Sequence, residues 1–314
     1  MKKTILLLGG FGFLGANILK FIDRNLISEY RVIVFDKFKS HIAGLSFNCV
    51  EKVYAGDFND ELFIDNIFNE NTIDLVIHSI STTVPLTSMN DKYDVESNLI
   101  PSLALFRIMV SRGVKKIVYI SSGGAVYGNE SELPHKEDED VFPVSSYGIV
   151  KLCIEKYLMQ YAMLYNMEPL ILRLSNPYGR YHYSTKQGVC NVALTYAVKG
   201  ETFQIFGDGT AKKDYIYVDD FVEIMFMLLK KNISCQVINI ASNYVYTIQN
   251  IVEEIARIVP GFKCEYQKSS KYDVSHFELN TNKLKKVIGN YDFVPLEKGL
   301  KIVYEWEKSI KNGL

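Results

Sequence analysis

A doubly wound, mainly parallel α/β sheet with a smaller mixed α/β lobe is the fold class that three features of this sequence predict. Short β-branched runs alternate with longer amphipathic segments over the first half of the chain, as in parallel sheets covered by helices on both faces. The short runs are apolar throughout, as expected of strands buried on both sides. After about residue 175 the alternation stops, and loops rich in glycine, tyrosine and charge predict a second lobe.

Each element is predicted from its local pattern. Six candidate strands follow one another and a seventh arrives late: Ile5–Leu8, Arg31–Phe35, Lys52–Tyr54, Leu75–His78, Lys116–Ser121, Leu170–Leu174 and Val237–Ile240. Helical patterns occur near Gly12–Arg24, Glu61–Phe68, Val95–Arg112 and Ser146–Tyr165. The second lobe contains loops and helices predicted at Asn176–Gly188, Gly207–Tyr217, Asp219–Lys230 and Thr247–Val259.

The chain is predicted to divide into two lobes without a linker. Residues 1–175 form the doubly wound sheet, residues 176–314 form mainly the second lobe, and a segment near 214–243 returns to the first. Because no flexible or low-complexity tract separates the lobes, they are expected to share an interface. The cleft between them is the expected ligand site.

Composition excludes several classes of function. With 35 basic and 36 acidic residues the formal net charge is -1, which gives no support to nucleic-acid or membrane binding. No apolar run approaches the ~18 residues of a membrane span, and the apolar start of the chain predicts a strand rather than a signal peptide. The 5 scattered cysteines argue for reduced thiols and a cytoplasmic protein. No histidine or acidic cluster has the spacing of a metal site.

A glycine loop directly after the first strand predicts a dinucleotide site. Gly9, Gly12 and Gly15, with Phe13 and Leu14 between them, lead into the first helix. Glycine permits a tight turn and a close approach of the backbone to a diphosphate. The N-terminus of the helix then supplies unpaired N–H groups and a favourable dipole. A purely structural turn is the alternative interpretation.

An acidic residue at the end of the second strand indicates which dinucleotide binds. Asp36 lies 21 residues after Gly15, where a carboxylate would bind the hydroxyls of the adenine ribose and repel a 2′-phosphate. NAD is therefore the expected cofactor. Lys37, directly after Asp36, weakens the preference over NADP.

A tyrosine and a lysine four residues apart provide the candidate chemistry. Tyr147 and Lys151 share one face of the helix predicted at Ser146–Tyr165. A phenol ionises near pH ~10, and a nearby ammonium favours the phenolate, so the pair can act as a base near neutral pH. Beside a dinucleotide, this predicts a reaction in which a hydroxyl loses a proton while its carbon loses a hydride. An interface tyrosine on an amphipathic helix is the alternative.

Several further motifs occur in order along the chain. They are Gly56-Asp57-Phe58, Ser121-Ser-Gly-Gly-Ala-Val-Tyr-Gly128, Arg173-Leu-Ser-Asn-Pro-Tyr-Gly179, Gly207-Asp-Gly209 and Asp214-Tyr-Ile-Tyr-Val-Asp-Asp220. With the glycine loop and the tyrosine–lysine pair, they make essentially the whole chain resemble the extended short-chain dehydrogenases/reductases. Within these it most resembles the NAD-dependent epimerase/dehydratase family that acts on nucleotide sugars, and in particular its UDP-glucose 4-epimerase type.

The resemblance implies a role for each matching residue. It puts Asp57 and Phe58 by the adenine and has Asn98 support the network on the cofactor side. Lys151 would contact the nicotinamide ribose and lower the pKa of Tyr147, which would lie near the reacting hydroxyl. The first lobe would then be an NAD-binding Rossmann domain, and the second lobe would bind the substrate.

The chain departs from the family at the hydroxyl that usually assists the tyrosine. Gly123 stands where the family has serine or threonine, and the residue two positions later is Ala125. Ser122 is then the nearest candidate for a catalytic hydroxyl. The run Ser81–Thr83 offers further hydroxyls near the nicotinamide or the sugar, with Thr82 as a candidate substrate ligand, although hydroxyls are common in loops that follow strands.

The cations expected around the substrate diphosphate also differ. Lys213 stands where the family often has an arginine, and Lys271 is the nearest cation to a second expected arginine. Lysine binds phosphate as a point charge without the fork of arginine, which predicts a weaker or reshaped diphosphate site. Solvated surface lysines are the alternative. By resemblance, Asn176 contacts the substrate.

A UDP-hexose 4-epimerase is the leading hypothesis that the resemblance implies. Tyr147 would take the proton of the sugar 4-hydroxyl while the hydride passes from C4 to NAD, and the hydride would return to the other face of the 4-keto sugar. An NAD(P)H-dependent reductase of a nucleotide 4-keto-6-deoxy sugar is the first alternative. A 4,6-dehydratase is disfavoured, because Gly124 and Ala125 replace the acid and base which that chemistry needs. A non-catalytic scaffold that binds NAD and a nucleotide sugar is a third hypothesis.

The expected partners are a nucleotide-diphosphate sugar and a second copy of the chain. The helices near Val95–Arg112 and Ser146–Tyr165 resemble those of a four-helix dimer interface, although apolar helix faces can also pack inside one subunit. Nucleic acid, membrane and metal are not expected.

Overall fold

The computed structural model describes residues 2–37, 46–84, 88, 90–128, 133–185, 187–268 and 276–311. Its strands are β1 (Lys3–Leu8), β2 (Tyr30–Asp36), β3 (Val50–Ala55), β4 (Leu75–His78), β5 (Lys116–Ser122), β6 (Glu168–Leu174), β7 (Asn176–Tyr178), β8 (Thr202–Phe206), β9 (Lys212–Tyr217), β10 (Gln236–Ile240), β11 (Val245–Thr247), β12 (Lys263–Gln267) and β13 (His276–Phe277).

The helices alternate with the strands of the first half and gather in the second. They are α1 (Phe13–Phe21), α2 (Glu61–Glu70), α3 (Asp91–Asp94), α4 (Ile100–Ser111), α5 (Gly123–Val126), α6 (Ser146–Tyr165), α7 (Val189–Lys199), α8 (Val218–Lys230), α9 (Ile248–Ile258), α10 (Asn282–Ile288) and α11 (Leu296–Lys311). Two π-helical turns, Ile22–Leu26 and Val95–Leu99, follow α1 and precede α4.

A seven-stranded parallel sheet organises the first part of the chain. Its strand order is β3-β2-β1-β4-β5-β6-β10, and every neighbouring pair is parallel. The chain leaves β1 toward one edge and returns at β4 toward the other, so a crevice opens between the carboxyl ends of β1 and β4. The predicted Rossmann-like, doubly wound fold class is confirmed.

Two apolar layers cover the two faces of this sheet. Residues of β1 alternate between them: Ile5 and Leu7 pack with α1 and α8, whereas Leu6 and Leu8 pack with α2, α4 and α6. Because both faces are covered, β1 and β4 are buried almost throughout. That is why these strands appear in the sequence as continuous apolar runs.

The second part of the chain builds two small sheets packed with α7, α9 and α11. In the larger one, β9 pairs with β11 on one side and β13 on the other, and it also pairs with β7. The smaller one pairs β8 with β12. Strand β10 returns to the main sheet beside β6, so the chain crosses between the two parts more than once.

The structure corrects the loops predicted at Asn176–Gly188 and Gly207–Tyr217, which contain β7 and β9. These short strands lack the alternation that identifies a strand, because polar side chains in them are buried. Asp214 in β9 is fully buried and accepts hydrogen bonds from Ser242. Burial raises the pKa of Asp214 to about 7.

A buried ion pair connects α6 to the main sheet. The Glu155 carboxylate accepts two hydrogen bonds from Arg173 Nε, both at 3.2 Å, and one from Nη2 at 2.8 Å. It also accepts one from the hydroxyl of Ser121 at 2.5 Å. Ser121 and Arg173 are in register on β5 and β6, so one carboxylate of α6 holds both strands.

Removing the positive partner of this pair should destabilise the fold. Arg173→Met is expected to lower the free energy of unfolding by about 3–5 kcal/mol, because Glu155 would stay buried without its counter-charge. Urea denaturation followed by circular dichroism measures the change. Arg112→Met, which breaks an exposed pair with Asp65, is the matched control and should lose much less stability. Equal losses in the two variants would contradict the argument.

Candidate active site

The turn between β1 and α1 brings the N-terminus of the helix against the edge of the sheet. Gly9 has φ +80°, a left-handed conformation that glycine adopts without strain. A Cβ atom on Gly15 would lie 2.2 Å from the carbonyl oxygen of Gly9. Helix α1 therefore sits closer to the turn than any side chain at Gly15 would allow.

This helix N-terminus fits the diphosphate of a dinucleotide. Gly12 is the N-cap, no side chain caps the first turn, and no acidic residue lies in it. Uncapped N–H groups, including those of Phe13 and Leu14, and the helix dipole both favour an anion. A Cβ atom on Gly12 would meet only the carbonyl oxygen of Gly9, at 3.4 Å, so the approach to the turn is open.

Two carboxylates lie beyond the turn, at the ends of β2 and β3. Asp36 accepts a hydrogen bond from the N–H of Phe11 at 2.8 Å, which fixes β2 against the glycine turn. Asp57 accepts one from the N–H of Asn59 at 3.0 Å, and this bond, aided by Lys37, holds the pKa of Asp57 below its usual range. Lys37 Nζ lies 3.4 Å from Asp57 Oδ2. Lys37, which was expected to weaken the preference for NAD over NADP, is thus paired with the carboxylate of Asp57.

The Phe58 side chain lies in the core between β2 and β4. It is 6% exposed and lies edge-on to His78, with the ring centroids 5.3 Å apart. His78 Nε2 lies 3.0 Å from the hydroxyl of Ser102, and burial lowers the pKa of this histidine to about 3. His78 is therefore neutral and structural, and the Phe58 ring serves mainly in packing.

Helix α6 begins at the catalytic candidates. The hydroxyl of its N-cap, Ser145, accepts a hydrogen bond from the N–H of Gly148 at 3.2 Å, and the N–H of Tyr147 donates to the hydroxyl of Ser88 at 2.8 Å. The Lys151 ammonium is buried, donates to the Ile120 carbonyl at 3.0 Å and lies 5.7 Å from the centroid of the Tyr147 ring. The predicted pair is therefore assembled beside the carboxyl end of β5.

The pKa values of this pair differ from the sequence-based expectation. Burial raises the pKa of Tyr147, and hydrogen bonds with Ser122 and Ser81 oppose this rise. Lys151 was expected to lower it, but Lys151 is not among the causes of the shift; its ammonium donates to the Ile120 carbonyl and lies over the rings of Tyr119 and Tyr147. Burial also lowers the pKa of Lys151 to about 8, against the attraction of Glu155.

The place of the missing hydroxyl at position 123 is filled by the second part of the chain. A Cβ atom on Gly123 would lie 2.7 Å from Leu279 Cδ1 and 3.3 Å from Phe277 Cζ. Both of these side chains are buried. Position 123 therefore lacks both a serine and the space for one, because two apolar side chains occupy the place of its side chain.

The loop after β4 is clamped by Asn98. The Asn98 side chain accepts a hydrogen bond from the N–H of Thr82 at 2.9 Å and donates to its hydroxyl at 2.7 Å. The Thr82 hydroxyl also lies 2.6 Å from that of Ser97. Asn98 therefore acts on this loop, and the loop's Ser81 and Thr83 line a small cavity together with Asn98, Tyr147 and Lys151.

Of the three candidate substrate ligands outside this cluster, the structure describes Asn176 and Lys213. The Asn176 amide donates to the carbonyl of Asp214 at 2.8 Å, which ties β7 to β9. Lys213 lies on β9 in register with Phe277 of β13, so it shares a sheet with one of the two residues that close position 123. Lys271 lies outside the described residues.

Several residues that shape this site were not predicted from the sequence. Phe277 and Leu279 gave no signal, because their contact with Gly123 joins segments more than 150 residues apart. Glu155 did give a signal that could have been used. It follows Tyr147 and Lys151 at the same four-residue spacing on α6, so all three share one face of the helix.

Neither a metal cluster nor a membrane-crossing helix is found in the described ranges. No three His, Cys, Asp or Glu side chains within them come together in a way that could hold a metal ion. None of the helices described above is both long and apolar enough to cross a membrane.

The sequence of this chain matches one protein family and is similar to several known proteins. The sequence model of the NAD dependent epimerase/dehydratase family matches residues 5–241. A putative UDP-glucose 4-epimerase of Methanocaldococcus jannaschii is 30% identical over 309 residues, which cover 97% of this chain and 98% of the relative. A dTDP-4-dehydro-6-deoxyglucose reductase of Escherichia coli is 31% identical over 258 residues, 81% of each chain.

A solved structure resembles the fold over nearly its full length. The crystal structure of a UDP-glucose 4-epimerase from Thermotoga maritima, determined with UDP-glucose, superposes with a TM-score of 0.90 at 30% identity. The match covers 98% of this chain and 99% of that one.

The crowding at Gly123 yields a prediction with an adjacent control. Gly123→Ala is expected to lower the free energy of unfolding by about 1–3 kcal/mol, because its Cβ overpacks against Leu279. Gly124→Ala, whose Cβ would meet only Phe277 at 3.9 Å, should change stability by less than about 0.5 kcal/mol. In a Leu279→Ala background the added Cβ gains room, so Gly123→Ala should then be neutral or stabilising. Thermal unfolding of the four variants measures this, and an equal loss in both backgrounds would contradict it.

Proposed function

The chain belongs to the NAD-dependent epimerase/dehydratase family, and on that premise we propose that it interconverts the C4 epimers of a UDP-hexose. It is an NAD-dependent enzyme of the extended short-chain dehydrogenase/reductase type, with nucleotide-sugar epimerase or dehydratase activity. The observation that carries the proposal is the pair of half-buried Tyr147 and buried Lys151, which lies beside two serine hydroxyls in a fold that also presents an open glycine turn.

In the proposed mechanism Tyr147 moves one proton in each direction. Its oxygen takes the proton of the sugar 4-hydroxyl and returns it once the configuration at C4 has changed. When bound, NAD supplies the hydride acceptor and donor at C4. The Lys151 ammonium, with its pKa near 8, keeps its charge at neutral pH and, by resemblance to the family, contacts the nicotinamide ribose. The net redox change is zero.

We assign the cofactor and substrate sites to the two parts of the chain. Residues 1–175 hold NAD through the glycine turn, with Asp36 on the adenine ribose. Residues 176–314 supply most of the nucleotide-sugar site, with Asn176, Lys213 and Lys271 as ligands and Thr82 contributed from the first part. UDP is the nucleotide of choice, since relatives covering nearly the whole chain are named for UDP-glucose.

A second candidate function is the reduction of a nucleotide 4-keto-6-deoxy sugar with the same Tyr147 and Lys151. The Escherichia coli relative carries such an activity in its name. A scaffold without activity would bind NAD and turn over nothing.

We further propose that the enzyme is a cytoplasmic homodimer joined through α4 and α6. Six large apolar side chains on these helices are well exposed in the single chain: Ile100, Ile149, Tyr157, Met163, Leu164 and Tyr165. Exposed apolar groups on adjacent helices are typical of an interface between two copies.

Product analysis separates the candidate functions. Purified protein is incubated with UDP-, dTDP- and GDP-sugars without added cofactor, and the configuration of the products is followed by NMR. Conversion of a UDP-hexose to its C4 epimer is the expected outcome, and Tyr147→Phe should reduce the rate at least about 100-fold. Oxidation of added NADH by a 4-keto sugar, with no epimerisation, would favour the reductase instead.

The NAD site can be tested apart from turnover. Asp36→Ala is expected to weaken NAD binding by about tenfold or more, since it removes the proposed ribose ligand and the acceptor for the Phe11 N–H. The variant should also lose preference for NAD over NADP. Isothermal titration with both dinucleotides measures this, with the exposed Asp292→Asn as the control. Unchanged NAD affinity would remove Asp36 from the cofactor site.

A further inference from the structure

Tyr147 needs hydrogen-bond donors for its oxygen if it is to act as a base, and position 123 cannot supply one. Leu279 and Phe277 occupy the space in which a side chain at 123 would stand. Ala125 has no hydroxyl. The donors must therefore come from elsewhere on the walls of the site.

The loop after β4 brings one such donor to Tyr147. The Ser81 and Ser122 hydroxyls both counteract the raised pKa of Tyr147 by hydrogen bonding, one from the loop after β4 and one from the end of β5. Ser81 is exposed and lines the same cavity as Tyr147 and Lys151. Two independent strands thus converge on one phenol oxygen.

This loop is held in place before any ligand binds. The Ser79 hydroxyl donates to the carbonyl of Leu8 at 2.7 Å, which ties the start of the loop to β1. Asn98 clamps Thr82, the next residue after Ser81, with two hydrogen bonds. A hydroxyl held in this way loses little conformational freedom when it donates to a developing charge.

We propose that Ser81 is a catalytic residue: together with Ser122, its hydroxyl binds the Tyr147 oxygen and replaces the hydroxyl that position 123 cannot hold. The inference deepens the proposed function, because it rests on Tyr147 as the base. In the structure Ser81 donates to the carbonyl of Thr83 at 2.9 Å, and its oxygen can accept a hydrogen bond from the phenol O–H. When Tyr147 gives up that proton, the Ser81 hydroxyl turns to donate to the phenolate. No covalent bond is made or broken at Ser81.

The test measures the ionisation of Tyr147 directly. A fluorotyrosine is incorporated at position 147 of the full chain loaded with NAD, and its single fluorine resonance is titrated by NMR. Ser81→Ala is expected to raise the pKa of this residue, because the phenolate loses a donor. Ser81→Thr, which keeps the hydroxyl, should restore the original titration. Ser111→Ala is the control, since Ser111 is an exposed serine at the end of α4 that also bonds a nearby carbonyl.

Kinetics of the unlabelled variants give a second measurement. At neutral pH, Ser81→Ala should lower kcat about tenfold with little change in KM. The difference in kcat between Ser81→Ala and the unchanged enzyme should shrink as the pH rises, because solvent can then remove the proton from Tyr147 without the aid of Ser81. A purely structural defect would lower activity equally at every pH. Should the alanine variant fail to fold, Ser81→Cys, a weaker donor of similar size, should give a smaller shift in the same direction.

The outcomes separate this inference from the proposed function. If Ser81→Ala titrates like Ser111→Ala, Ser81 has no catalytic part, whatever the substrate. If the fluorine titration responds to Ser81→Ala in a protein that converts no nucleotide sugar, the epimerase proposal fails and the role of Ser81 in ionising Tyr147 stands.

Discussion

The buried ion pair between Glu155 and Arg173 sets where α6 lies on the main sheet, and the candidate site depends on that placement. Glu155 also accepts a hydrogen bond from Ser121, so the carboxylate is bound by two neighbouring strands. A buried carboxylate without such partners would be strongly destabilising. Position and register of α6 are therefore narrowly defined. Lys151 lies one helical turn before Glu155, and Tyr147 one turn before that.

Burial both positions the reacting groups and changes their chemistry. It lowers the pKa of Lys151 to about 8 and raises that of Tyr147. A tyrosine buried in this way keeps its proton until charge or hydrogen bonds favour the phenolate. The serines around it then matter more than the lysine spacing alone suggests. Position 123 supplies no hydroxyl, so the walls formed by the ends of β4 and β5 must supply them.

The contact between the two parts of the chain is built into this site. Leu279 and Phe277 reach the backbone of Gly123 from the second part. The strand of Phe277 lies beside β9, which carries Lys213 and is tied to Asn176. A substitution at position 123 would therefore disturb the fit between the two parts as well as the local chemistry. The glycine and the apolar side chains that face it form one coupled unit.

The sequence by itself determined the parts of this protein whose signals are local. Continuous apolar strands, the glycine turn after β1, Asp36 after β2 and the spacing of Tyr147 and Lys151 are all set within a few residues, because periodicity and turn chemistry act at short range. These features were enough for the fold class and for the family.

Only the tertiary structure decided which side chains meet. The strands β7 and β9, the partners of Glu155, the apolar side chains at Gly123 and the approach of Ser81 to Tyr147 all join segments distant in the chain. Burial in turn changes pKa values by removing water, and no spacing of residues records how much water is removed. The tyrosine–lysine pair was therefore predictable from the sequence, whereas its charge state and its hydroxyl partners were decided by packing.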